Sequence, residues 1–107
     1  MLENDGSEPA YYFVTLDGVT IPKCVFCPDP PYTEKARSKK VQGRVVLSVL
    51  VTAEGKADKI RILAGLDPDL DRSSIRTVSS WQFQASKDSD GKSVSVRLPV
   101  EVTFRLR

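Results

Sequence analysis

The sequence predicts an α+β domain in which two helices pack on one face of a three-stranded antiparallel sheet. Three observations carry that expectation. The C-terminal stretch SVSVRLPVEVTFRLR, Ser93 to Arg107, alternates apolar with polar residues. RVVLSVLVTAEGKADKIRILAG holds two β-prone runs on either side of Glu54-Gly55. Two further segments carry helix caps, the second of them ahead of apolar residues near helical spacing. The predicted core is ββαβ, with the strands ordered second, first, last.

Residues 1–21 form a linker-like N-terminal segment and residues 22–107 the domain. Met1 to Ala10 is polar and lacks periodicity. Tyr11 to Leu16 and Val19 to Lys23 flank Asp17-Gly18, a dipeptide suited to a two-residue hairpin turn. In CVFCPDPPY the prolines at 28, 30 and 31 forbid a continuous helix or a central strand and favour an extended surface path. Thr33 can cap a short helix, TEKARSKKVQ, with Gly43 as its left-handed stop. Of that helix only Ala36 and Val41, with Tyr32 beside them, are suited to burial. Arg44 to Thr52 is the predicted central strand, because Val45, Leu47, Val49 and Val51 occupy one face and Val46 and Leu50 the other. Ala57 to Leu63 is its partner. In DPDLDRSSIRTVSSW the leading aspartates suit the positive end of a helix dipole, and Leu70, Ile75, Val78 and Trp81 supply the apolar side. WQFQA then runs out extended, and Asp90-Gly91 turns into the last strand.

Along that last strand Val94, Val96, Leu98, Val100, Val102, Phe104 and Leu106 point to the core, since strand side chains alternate with period two. Ser95, Arg97, Pro99, Glu101, Thr103, Arg105 and Arg107 look at water. Proline lacks an N–H and is confined to edges, strand starts or bulges, so Pro99 at mid-strand predicts that one flank is unpaired. With no bulge, the residues in phase with Pro99 turn their N–H and C=O groups outward too. Charge and proline are also the means by which proteins guard an open edge against aggregation. The alternative is that the edge is kept available for an extended peptide to join.

Composition excludes several function classes. The 107 residues carry 16 basic and 14 acidic side chains, a net charge of +2 that makes no case for nucleic acid. No run approaches a membrane span, and the acidic start does not suit a signal peptide. Histidine is absent, which removes Ser-His-Asp and Cys-His chemistry and the commonest zinc ligand. No metal or cofactor is expected. Cys24 and Cys27 form a C-x-x-C pair, read as a local disulfide in an oxidising compartment or two thiols otherwise, with a thiol oxidoreductase as a rival function. Asp67, Asp69 and Asp71 open like a calcium loop, but Arg72 stands where glycine is needed and Val78 where the bidentate glutamate is needed, so helix capping explains them better. The cluster Lys35, Arg37, Lys39, Lys40 and Arg44 reads as a solvated helix face.

Taken together, PPYTEKARSKKVQGRVVLSVLVTAEGK, GLDPDLDRSSIRTVSSWQFQAS and DGKSVSVRLPVEVTFRL resemble the C-terminal domain of TonB-type energy transducers. The resemblance extends from about Pro22 to the end, although the cysteine pair has no counterpart in it. Thr33 and Ala85 stand where the family usually has proline. The resemblance implies a non-enzymatic periplasmic domain, anchored to the inner membrane through an N-terminal helix and a proline-rich spacer that the 107 residues do not contain. It implies partners too: the TonB box of outer-membrane transporters, joined beside the last strand, and inner-membrane proton-channel proteins reached through the anchor. A homodimer, and a sensor module that borrowed the fold, stay open. The expected contacts are Arg97, Leu98, Pro99, Glu101, Thr103 and Arg105 along the open edge, and the resemblance adds Tyr32 and the chain just after it as a second region.

Overall fold

The computed structural model describes Leu2, Glu3, residues 11–13 and residues 18–106. Its centre is β4 (Gly43–Val51), paired antiparallel with β5 (Ala57–Ala64) on one side and β9 (Val96–Phe104) on the other. The order second, first, last is therefore the one expected. Val45, Leu47, Val49 and Val51 are fully buried on one face of β4, together with Val96, Val102 and Phe104 from β9. Two helices, α1 (Glu34–Ser38) and α2 (Pro68–Val78), belong to this layer, with Ala36, Leu70 and Val78 in the same core cluster.

The caps are those the sequence indicates. Thr33 Oγ1 accepts from the Ala36 N–H at 3.2 Å. Asp67 Oδ2 accepts from the N–H groups of Asp69 and Leu70 at 3.0 and 3.2 Å, and Asp71 Oδ1 from that of Leu66 at 2.9 Å. The Thr33 and Asp67 oxygens satisfy helix-start amides that have no intrahelical partner, and Asp71 reaches back to the amide just ahead of the cap.

Several expectations are corrected. The first helix is shorter than residues 33–42, because Lys40 rather than Gly43 takes the left-handed conformation (φ 54°) and Val41 N–H returns to Ala36 O at 3.0 Å. The last strand is not continuous from Ser93. Ser93–Val94 (β8) pairs with Ser86–Lys87 (β7) in a separate hairpin, and the break falls at Ser95, whose Oγ accepts from Ala53 N–H at 3.2 Å. The sheet also continues past β9: Tyr11–Phe13 (β2) pairs in parallel with Val96 and Arg97 and antiparallel with Leu2–Glu3 (β1). Arg97 consequently lies in an interior stretch of sheet. Instead of facing water it is 4% exposed, and its Nη1 donates to Ser48 Oγ at 3.1 Å.

The hairpin expected between Tyr11–Leu16 and Val19–Lys23 is not the pairing found: residues 14–17 lie outside the described ones, Tyr11–Phe13 pairs with β1 and β9, Val19 to Pro22 carry no strand, and Val19 is buried in the core. The next segment, β3 (Lys23–Phe26), is exposed along its length and pairs with β6 (Gln82–Gln84).

Gly55 makes the β4–β5 turn (φ 83°), and its carbonyl accepts from Phe83 N–H at 2.8 Å. A Cβ there would stand 2.1 Å from Phe83 O, whereas one at Gly91 (φ 77°) would meet nothing within 4 Å. Gly91→Ala is expected to lose about 1 kcal/mol of stability through backbone strain alone, and Gly55→Ala clearly more. Thermal unfolding of the two variants side by side checks this; equal losses would contradict the close approach.

Candidate functional site

Pro99 lies opposite Ser48 in an unbroken run of nine β4–β9 pairs from Gly43–Phe104 to Val51–Val96. Antiparallel pairs alternate between those that exchange two hydrogen bonds and those that exchange none. Without an N–H, Pro99 cannot complete a bonded pair, so it occupies the second kind. Arg97, Glu101 and Thr103 share its phase and direct their N–H and C=O groups away from β4. At Arg97 that flank meets β2. From Leu98 to Phe104 it meets no strand among the described residues.

Beside the vacant part of the flank lies a groove of about 650 Å³. Glu101 to Arg105 form one wall, and Asp29, Pro30, Tyr32 and Trp81 the opposing one. Each element of that second wall is tied down. Tyr32 OH donates to Val41 O at 2.8 Å, and its ring meets Phe104 edge to face at 5.3 Å. Trp81 Nε1 donates to Pro28 O, and Ser73 Oγ to Pro31 O, both at 2.8 Å. The proline run is thus held at both ends against α2 and the residues that follow it. Asp29, Glu101 and Arg105 set the charge at the rim, and Arg44 Nη1 meets Glu101 Oε1 at 2.8 Å on the far side.

Of the residues singled out from sequence, the structure brings Tyr32, Glu101, Thr103 and Arg105 together in this groove. Pro99 is exposed further along the strand, Leu98 packs against the core, and Arg97 belongs to the part of the flank that β2 covers. Trp81 was expected on the apolar face of the second helix. It lies beyond that helix, half-buried, and the signal that distinguishes it is its indole N–H, which seeks an acceptor when the ring is covered. Cys24 and Cys27 are joined in a disulfide. Cys24 sits in β3 and not at a helix N-terminus, the placement that lowers a thiol pKa in oxidoreductases.

A family model, the Gram-negative bacterial TonB protein C-terminal, matches residues 28–106. The chain belongs to the TonB C-terminal family. Protein TonB of Klebsiella aerogenes is 25% identical over 77 residues, covering 71% of this chain and 32% of the relative. Protein TonB of Salmonella typhimurium is 26% identical over 88 residues, 81% of this chain and 34% of the relative. The chain therefore spans about a third of the length of the curated relatives it matches. Among solved structures, the solution structure of the Pseudomonas aeruginosa TonB C-terminal domain superposes with a TM-score of 0.67 at 24% identity, covering 80% of this chain and 87% of the other. The Helicobacter pylori TonB C-terminal domain gives 0.52 at 15% identity over 73% and 70%. Both share the fold.

Within this TonB-family domain Tyr32 contributes twice, through its hydroxyl and its ring. Tyr32→Phe is expected to lose about 1 kcal/mol of stability with the hydrogen bond, and Tyr32→Ala on the order of 3 kcal/mol, because the contact with Phe104 goes too. Urea denaturation separates the two; equal losses would remove the ring from the account.

Proposed function

We propose that the chain is the periplasmic end of a TonB-type energy transducer and that it grips the TonB box of an outer-membrane transporter as an added strand on β9, between Pro99 and Thr103. The observation that carries this reading is the outward flank of β9, which pairs with a strand at Val96 and Arg97 and with none of the described residues beyond Leu98. Its geometry accepts a strand, since β2 already uses it. The adjoining groove supplies room for the side chains of an incoming peptide, with main-chain bonds giving affinity and the groove giving choice.

Pro99 offers a carbonyl to such a peptide, while Glu101 and Thr103 each offer an N–H and a carbonyl. At about 1 kcal/mol net for each hydrogen bond, the grip is weak at equilibrium. A pull along the strand loads these bonds together in shear, so a modest affinity is compatible with transmitting force. An inner-membrane anchor upstream and proton-channel partners acting through it complete the reading, in which the domain is mechanical and catalyses nothing.

Titrating the ¹⁵N-labelled chain with a synthetic TonB-box peptide should move the amide signals of Glu101 and Thr103 first. Thr103→Pro removes one outward donor and leaves the bonds to β4 intact, so it should weaken the peptide by roughly five- to tenfold with little change in Tm. Shifts confined to the helices or the cysteine loop, or a Thr103→Pro variant that binds normally, would contradict the proposal.

A further inference from the structure

We infer that the Cys24–Cys27 disulfide braces the groove wall and makes peptide binding sensitive to reduction, an inference that rests on the strand-addition reading above. The wall made by Asp29 and Pro30 begins two residues after Cys27. Between the buried Pro22 and the buried Pro30, the strand leading into it buries no side chain of its own. All of Lys23–Phe26 is exposed, Val25 at 67% and Phe26 at 57%, and its ladder with β6 slips register between Cys24 and Phe26. The far end of the wall is secured by the Ser73 contact with Pro31 and by Tyr32. At the near end, beyond the short β3–β6 ladder and the burial of Pro30, the restraints among the described residues are the disulfide and the bond from Trp81 Nε1 to Pro28 O, one residue past Cys27. Trp81 itself lines the groove. Opening the disulfide therefore frees Pro28, releases the indole and loosens both Trp81 and the Asp29–Pro30 wall, so that binding a peptide must first order them.

Cys24 is exposed to a reductant of the dithiol class. One thiolate of the dithiol attacks Cys24 Sγ and releases Cys27 as a thiol. The second thiolate then cleaves the mixed disulfide and frees Cys24. The dithiol departs as a disulfide, and two electrons and two protons pass to the protein.

Trp81 is the only tryptophan of the chain, so its indole proton gives a single resonance. The intact chain, oxidised and then reduced with dithiothreitol, is compared with a Cys24→Ser, Cys27→Ser double variant for indole N–H exchange with solvent and for affinity toward the synthetic TonB-box peptide. Reduction should speed indole exchange and weaken the peptide by roughly three- to tenfold, with recovery on reoxidation. The double variant should stay in the weak, fast-exchanging state whether or not dithiothreitol is present, and far-UV circular dichroism should show all forms folded. Unchanged indole exchange, or faster exchange with unchanged affinity, overturns the inference. If no form binds the peptide, strand addition fails and indole exchange alone decides the brace: faster exchange supports it and unchanged exchange overturns it.

Discussion

The pairing of β4 with β9 runs through nine residues without a slip, and Pro99 fixes its phase. Even-numbered side chains of β9 enter the core, with Val96, Val102 and Phe104 buried, while the backbone groups of the odd-numbered residues turn away from β4. A one-residue shift would exchange the faces and bury Glu101 and Thr103. The same constraint that closes the core therefore leaves a ladder of donors and acceptors on the other flank. Fold and site have a single cause.

Much of this was legible because it depends on periodicity. The alternation in β4 and β9, the turn at Gly55 and the caps at Thr33 and Asp67 are local signals that the tertiary structure reinforces. What was not legible depends on contacts between distant residues. Nothing near Ser95 announces that its hydroxyl will meet Ala53, and nothing near Arg97 announces that Tyr12 and Phe13 will lie beside it. An arginine in an alternating pattern reads as a solvent-facing residue, whereas in the structure a neighbouring strand and Ser48 lie against it. Pro99 predicted a vacant flank for the strand as a whole. Among the described residues, the structure limits the vacancy to the part from Leu98 onward.

The groove shows why sequence reasoning reached half of the site. Its strand wall follows from one proline and a two-residue period. Its second wall joins Asp29 and Pro30 to Trp81, some fifty positions later, through a carbonyl and an indole that no spacing rule connects. Of that wall only Tyr32 could be named beforehand, and then by resemblance. The prolines at 28, 30 and 31 did indicate an extended segment, although Pro30 is buried in the structure.

The central claim is that β9 is bonded on one side only between Pro99 and Phe104, and amide hydrogen exchange in the free chain tests it residue by residue. The account predicts slow exchange at Val100 and Val102, whose N–H groups face β4, and fast exchange at Glu101 and Thr103 between and beside them. Equal protection of all four amides would show that the outward flank is already occupied, and would contradict the account.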